Sequence, residues 1–359
     1  MRENNRKRLN IIQSYRGIAA ILILISHVSV IYHDFEKYNF SFFYALNRSG
    51  GVDFFFVLSG FLIYYIYSRD FGIEGKAKEF IIKRLVRIYP LVWFFTLLSL
   101  PVYFLFDSFG NGHETQFTVI LKSLLLLPQD QDPVLGATWS LVHVVLFYLI
   151  FTLYMNKKKT MKWIIITWTI CILINNFYTT TSLNSQNYFI NFLLSMFNLE
   201  FLIGCICAYL ILKYNIQLKY SVLLIILGIL GFLISWMNQY LTLGIDNVLF
   251  YGVSSALLII GTSSIDRNYN SNIPKMFNVL GNASYSIIVT NLPIIILTVK
   301  VFNVLGVYLI IGYSFSVLLT IIVAIMGGVV VHFLIEKPLT RKLNYIIIKQ
   351  SNRKGLKVA

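Results

Sequence analysis

An arginine and a histidine near the start of the chain bracket ten uncharged residues, in the segment RGIAAILILISH from Arg16 to His27. On an α-helix this interval turns through about 1100°, only ~20° more than three full turns, so both side chains project from one face. The helical rise places them roughly 16 Å apart along the axis. A histidine can remove a proton from a hydroxyl near neutral pH, and an arginine can polarise a carbonyl group or hold an anion. The spacing therefore indicates a functional site on this face of the helix.

Each of the two residues also has a purely structural interpretation. Arg16 could extend to lipid headgroups at a membrane surface, and His27 could be a hydrogen-bonded histidine of the protein core. Ionisable side chains inside a membrane span are costly and usually face the protein interior or a wet cavity. Because the two share one face, the functional interpretation is favoured.

The composition is that of an integral membrane protein. The chain has 359 residues, of which 57% are hydrophobic, and a mean hydropathy of +0.72. We expect an all-α, polytopic membrane helix bundle with about ten spans, a membrane domain over 1–345 and a short basic tail over 346–359. A cleavable signal is not evident, and the three cysteines lie in apolar spans as packing residues. The predicted spans are 11–31, 51–68, 87–106, 137–155, 162–178, 188–211, 220–238, 246–263, 281–300 and 307–334.

The net charge is +15, but the lysines and arginines are distributed over the loops between spans. This distribution indicates membrane topology and not a nucleic-acid-binding surface. With the N-terminus in the cytoplasm, all but four of the 30 lysines and arginines fall in inner segments or at inner span ends. The exceptions are Lys37, Arg48, Lys122 and Lys300. Positive residues concentrate on the cytoplasmic side of membrane proteins, so both termini are predicted to be cytoplasmic.

Two acidic residues are candidates for a supporting role. Asp53 follows Gly50-Gly51 at the start of span two, where it either caps the helix or orients a histidine or an acceptor hydroxyl. Glu200 falls near the middle of span six and must be protonated, paired or exposed to water; Arg16 is one conceivable partner. Gly60, in the second span, permits close packing of helices.

Arg84 and Arg87 are three residues apart at the inner edge of span three. On a helix they share a face. They are either an ordinary positive-inside cluster or a phosphate clamp, because each planar guanidinium can donate two hydrogen bonds to phosphate oxygens.

The remaining polar residues of the spans have weaker signals. His143 lies one turn after Trp139 and is interpreted as a packing or hydrogen-bonding histidine. Asn291 and Pro293 interrupt the apolar run of span nine, and FTVILKSLLLL within the outer segment 107–136 is too short to span. His332 and Glu336 are interpreted as an interfacial stop at the end of span ten.

Six stretches of the chain resemble the acyltransferase 3 family of membrane acyltransferases, and they occur in the same order as in that family. The resemblance covers most of the chain, and the arginine, ten residues, histidine signature is its most specific part. It implies a ten-span bundle that moves acyl groups, commonly acetyl from acetyl-CoA, onto extracytoplasmic glycans. The stretches are RGIAAILILISH, GGVDFFFVLSGFLI, KRLVRIYPLVWF, TWSLVHVVLFY, LGNASYSIIVTNLPI and IEKPLTRKL.

The resemblance also implies roles for particular residues. Arg16 and His27 correspond to the family's essential pair, and Arg84 and Arg87 to its paired arginines, which are thought to meet the acyl-CoA donor. The sequence departs from the pattern at Val144, where relatives often carry glutamate, and at Asn291, where they often carry histidine. Either those roles have moved, to His143 for example, or they are dispensable for this acceptor.

The sequence thus predicts an O-acyltransferase of the bacterial cytoplasmic membrane. Its expected partners are acyl-CoA as co-substrate, a cell-surface or lipid-linked glycan such as O-antigen, and the bilayer; no metal and no nucleic acid are expected. In this hypothesis His27 is the base or carries the acyl group transiently, and Asp53, His143, Glu200 and Asn291 support it. The alternatives are a flippase for a lipid-linked saccharide and a structural partner of a polysaccharide synthase. A secondary transporter would more naturally show an internal repeat, and none is evident.

Overall fold

The structure is a computed structural model that describes residues 9–39, 49–177, 187–241, 247–269 and 273–353. The N-terminal basic residues, residues 40–48 between the first two predicted spans with Arg48, and the end of the basic tail lie outside these ranges. All regular secondary structure in the described ranges is helical, as predicted. The helices are α1 Asn10–Glu36, α2 Gly51–Tyr67, α3 Lys76–Leu105, α4 Phe117–Leu125, α5 Trp139–Asn156, α6 Lys158–Phe177, α7 Tyr188–Leu193, α8 Phe197–Lys213, α9 Leu218–Leu241, α10 Asn247–Asn268, α11 Lys275–Val304, α12 Val307–Val331, a π-helical turn His332–Glu336, and α13 Lys337–Arg353.

Nine helical segments in the described ranges are long and apolar enough to cross a bilayer. They coincide with nine of the ten predicted spans. The tenth, α2, is apolar but has only 17 residues. The predicted outer segment contains the separate nine-residue helix α4, too short to cross a bilayer. The polytopic helical bundle is thereby confirmed.

The chain forms two compact units that interleave along the sequence. The first contains residues 1–69, 195–284 and 313–317, and the second contains 70–194, 285–312 and 318–359. In the first unit α1, α2, α8 and α10 pack around a common apolar core that includes Phe61, Cys207 and Ile259. In the second unit α3 packs against α5, α4 and α13.

Glycines permit the closest helix contacts of the first unit. A Cβ atom at Gly60 of α2 would overlap the carbonyl oxygen of Phe201, and one at Gly204 of α8 would overlap that of Val57. The two backbones therefore touch at a reciprocal pair of glycines, as the sequence predicts for Gly60. Gly50, which precedes α2, has φ +73°, a left-handed conformation that favours glycine.

Candidate active site

Arg16 and His27 lie on one uninterrupted helix, α1, which runs from Asn10 to Glu36. Both side chains are half-buried. The residues between them on the same face, Ala20, Ile23 and Leu24, are 0%, 5% and 0% exposed. The shared face predicted from the spacing is therefore confirmed, and it is a face that the protein buries.

The Arg16 guanidinium is held by two side chains. Its Nη1 donates to Gln13 Oε1 at 3.4 Å, and its Nη2 donates to Ser284 Oγ on α11 at 3.1 Å. The Ser284 hydroxyl in turn donates to the Gly281 carbonyl at 3.0 Å. These contacts hold the Arg16 guanidinium on the same face of α1 as His27.

Small residues make this arrangement possible. A Cβ at Gly281 would overlap the carbonyl oxygen of Gln13, and one at Gly17 would lie 2.8 Å from the Cβ of Leu280. The start of α11 therefore approaches α1 backbone to backbone, one residue away from Arg16. Larger side chains at Gly17 or Gly281 would separate Ser284 from Arg16.

Asp53 and Glu200 also belong to the first unit and are 0% and 1% exposed. Asp53 lies in the first turn of α2, where the positive end of the helix dipole favours a carboxylate, as the sequence suggested. Glu200 is not in the middle of a helix. The helix is interrupted between Leu193 and Phe197. Glu200 therefore falls in the first turn of α8, against Gly252 of α10. The same dipole argument then applies to both acids, and neither helix exposes its acid to lipid.

Arg84 and Arg87 lie in the second unit on α3, a single helix as predicted. The Arg84 guanidinium carbon is 5.6 Å from the centre of the Phe80 ring and 5.8 Å from that of Tyr148, so it stacks on aromatic faces. Arg87 is half-buried, and the carbonyl of the next residue, Ile88, accepts a hydrogen bond from the Tyr285 hydroxyl at 2.6 Å. The two arginines thus share a helix face but have different neighbours.

His143 and Asn291 are buried in the second unit. The His143 ring centre is 4.4 Å from that of Phe192 and 6.2 Å from that of Trp139, which agrees with the predicted packing histidine. Asn291 is fully buried on α11, and the helix continues through Pro293 to Val304. Val144, the other departure from the resemblance, is buried as well.

The sequence interpretation missed one polar cluster, around Glu336. This residue was expected to be part of an interfacial stop, but its side chain is buried and accepts a hydrogen bond from Ser286 at 2.6 Å. Its Oε2 also lies 2.7 Å from His332 Nδ1. The signal in the sequence was the spacing of four residues between His332 and Glu336, which places both on one helical face.

Comparisons with known proteins identify the family of the chain. The acyltransferase domain model matches residues 10–331. The exopolysaccharide production protein ExoZ of Rhizobium meliloti (strain 1021) is 25% identical over 328 residues, which cover 87% of this chain and 95% of ExoZ. No solved structure matches the chain significantly. Because the domain match covers most of a chain built from membrane-spanning helices, the protein belongs to the acyltransferase 3 family and is an integral membrane acyltransferase.

Proposed function

We propose that the protein transfers an acetyl or other acyl group from cytoplasmic acyl-CoA to a hydroxyl of a cell-surface or lipid-linked glycan, in the bacterial cytoplasmic membrane. Its family supports acyl transfer. The similarity to ExoZ, which is named for exopolysaccharide production, supports a polysaccharide acceptor. The observation that carries the proposal is the Arg16 and His27 pair on the buried face of α1.

In this proposal His27 acts as the general base. Its imidazole removes the proton from the acceptor hydroxyl while the oxygen attacks the thioester carbonyl. The carbon–sulfur bond breaks, an ester forms, and the proton passes to the sulfur of the departing CoA. General-base assistance of this kind is worth roughly 10² to 10⁴ in rate. In the alternative route His27 itself accepts the acyl group first and then passes it to the hydroxyl.

Arg84 and Arg87 bind the donor in this proposal. CoA carries several phosphate groups, and guanidinium groups form paired hydrogen bonds with phosphate oxygens. Both arginines occur in the charged stretch at the beginning of α3, which the distribution of charge predicts to be cytoplasmic. Arg16 supplies a further positive charge, which either polarises the thioester or holds the donor. Asp53, His143, Glu200 and Asn291 are proposed as supporting residues.

The test is transfer of label from radioactive acetyl-CoA in membranes that contain both the protein and its glycan. We expect His27→Ala to lower transfer by at least about 10²-fold, because the proton acceptor is lost. Protein level in the membrane should not change. His33→Ala is a matched control, since His33 lies on the same helix six residues after His27 and contacts Asn39.

The outcomes separate the function classes. Label in the glycan that disappears with His27→Ala supports the proposal, and mass spectrometry of the glycan then identifies the acyl group and its position. Movement of unmodified glycan across the membrane without acylation would instead indicate a flippase. Full activity of the His27→Ala variant would show that the base is a different residue.

A further inference from the structure

A basic helix follows directly after the last membrane span. The span, α12, has 25 residues without a charged side chain, which is enough to cross the ~30 Å hydrocarbon core of a bilayer. Lys337, the first residue of α13, comes six residues after the end of α12. The chain therefore reaches the edge of the membrane where its cations begin. The distribution of charge predicts that this edge is cytoplasmic.

One side of this segment is directed into the protein. Glu336, Leu339 and Leu343 recur at intervals of three and four residues, which places them on one side of the helix. Glu336 is 7% exposed, and the two leucines are half-buried. Glu336 is the only acidic residue from 307 to 359; it accepts a hydrogen bond from Ser286 at 2.6 Å, and its Oε2 lies 2.7 Å from His332 Nδ1. The carboxylate of this region is therefore bound inside the protein.

A second face of the segment carries three cations and two aromatic rings. Lys337, Arg341 and Lys342 are exposed, and Tyr345 is 65% exposed. Among the residues that the structure describes, none of the three cations forms an ion pair with a carboxylate. The face lines a cavity of about 580 Å³, which is formed by Phe333, Lys337, Pro338, Arg341, Lys342 and Tyr345.

This basic face continues an apolar surface of the span. Phe333 and Leu334, just before Lys337, are 46% and 71% exposed, and the Lys337 Nζ atom lies 5.4 Å from the centre of the Phe333 ring. An apolar side chain exposed at the end of a span contacts lipid tails, whereas a cation one turn later reaches the level of the lipid phosphate groups. A phospholipid presents hydrocarbon and phosphate in the same order. A cluster of cations immediately cytoplasmic of a span is also the pattern that attracts anionic head groups.

We propose that this face binds an anionic phospholipid of the cytoplasmic leaflet. The phosphate group lies among Lys337, Arg341 and Lys342, and the hydrocarbon chains lie against Phe333. The inference does not depend on the proposed acyl transfer. Acyl-CoA also carries phosphate groups, but the arginines proposed to bind it lie on α3, whereas the face described here follows directly from a lipid-exposed surface.

The experiment is native mass spectrometry of the full-length protein purified in detergent. The protein is titrated with phosphatidylglycerol and, separately, with phosphatidylcholine, whose head group has no net charge. The test variant combines Lys337→Gln, Arg341→Gln and Lys342→Gln. We expect its Kd for phosphatidylglycerol to rise roughly 10- to 100-fold, because the attraction of three cations for the head group is lost. Its Kd for phosphatidylcholine should not change.

The matched control combines Lys157→Gln, Lys158→Gln and Lys159→Gln. These lysines are exposed, lie where α5 ends and α6 begins, and are also predicted to be cytoplasmic. The control removes the same net charge as the test variant. An affinity for phosphatidylglycerol that falls only in the test variant supports the inference. Equal losses in the two variants, or no loss in the test variant, overturn it.

A titration with CoA separates the two sources of phosphate. The test variant should bind CoA with the Kd of the unaltered protein when no lipid is added. A raised Kd for CoA together with unchanged binding of phosphatidylglycerol would assign this face to the donor and overturn the inference. Should the triple variant fail to fold, Arg341→Gln decides, with Lys159→Gln as its control: weaker binding of phosphatidylglycerol by Arg341→Gln alone supports the inference, and equal binding by the two variants overturns it.

Discussion

The hydrogen bonds of Arg16 show why its residue type matters. Its guanidinium reaches two side chains at once, Gln13 one turn earlier on α1 and Ser284 on α11. A guanidinium can do this because its N–H groups point in several fixed directions, whereas a lysine ammonium is a point charge on a flexible stem. The orientation of the positive charge on the face of His27 therefore depends on arginine specifically.

We expect Arg16→Lys to lower acyl transfer by about tenfold even though the charge is kept, because the two-sided attachment is lost. The measurement is kcat for acetyl transfer in membranes matched for protein content. Arg267→Lys is the control, since Arg267 donates to backbone carbonyls of Ile211 and Tyr214 in the same unit. Activity of Arg16→Lys equal to that of the unaltered protein would show that only the charge at this position matters.

At the scale of elements, close helix contact replaces the hydrophobic driving force that soluble proteins use. Lipid tails are as apolar as leucine, so membrane helices gain stability mainly from tight packing between small residues. The reciprocal contact of Gly60 and Gly204 joins α2 to α8. Asp53 lies in the first turn of α2, and Glu200 lies in the first turn of α8. The same contact therefore fixes the helices that carry both buried acids.

Gly60→Ala should destabilise the protein by about 1 to 3 kcal/mol, because the new methyl group would overlap a backbone oxygen that cannot rotate away. The measurement is the thermal unfolding midpoint of the purified protein in detergent. Gly136→Ala serves as the control, since a Cβ there meets only the Leu292 Cδ1 atom at 3.1 Å, the end of a flexible side chain. Equal midpoints for the two variants would contradict the packing argument.

At the scale of the whole molecule, the distribution of positive charge predicts how the chain crosses the membrane. Asp130 should lie outside the cell, and Lys157 and the C-terminal end should lie in the cytoplasm. Fusions of alkaline phosphatase, which is active only outside, should be active after Asp130 and inactive after Lys157 and residue 359. Fusions of a green fluorescent protein should give the opposite pattern. If the fluorescent protein were fluorescent only when fused after Asp130, the orientation of the chain would be the reverse of the predicted one. The proposed side of donor binding would then also be wrong.

Much of the fold was predictable from the sequence because its determinants are local. A run of about 20 apolar residues must satisfy its backbone hydrogen bonds internally, so each such run becomes a helix. The spacing of Arg16 and His27 fixes their common face for the same reason. Arg84 and Arg87 share a helix face through their interval of three, and Asp53 belongs to a first helical turn because two glycines precede it.

Tertiary structure decided what the local pattern leaves open, namely which side chains from distant segments meet. Ser284 reaches Arg16 across 268 positions of sequence, and Ser286 reaches Glu336 across 50. The position of Glu200 depended on a break between α7 and α8 that an apolar run does not reveal. Periodicity determines the direction of a side chain from its own helix, but the partner depends on how separate helices pack. The sequence therefore determined the spans and the catalytic candidates, and packing decided the surroundings of Arg16, Glu200 and Glu336.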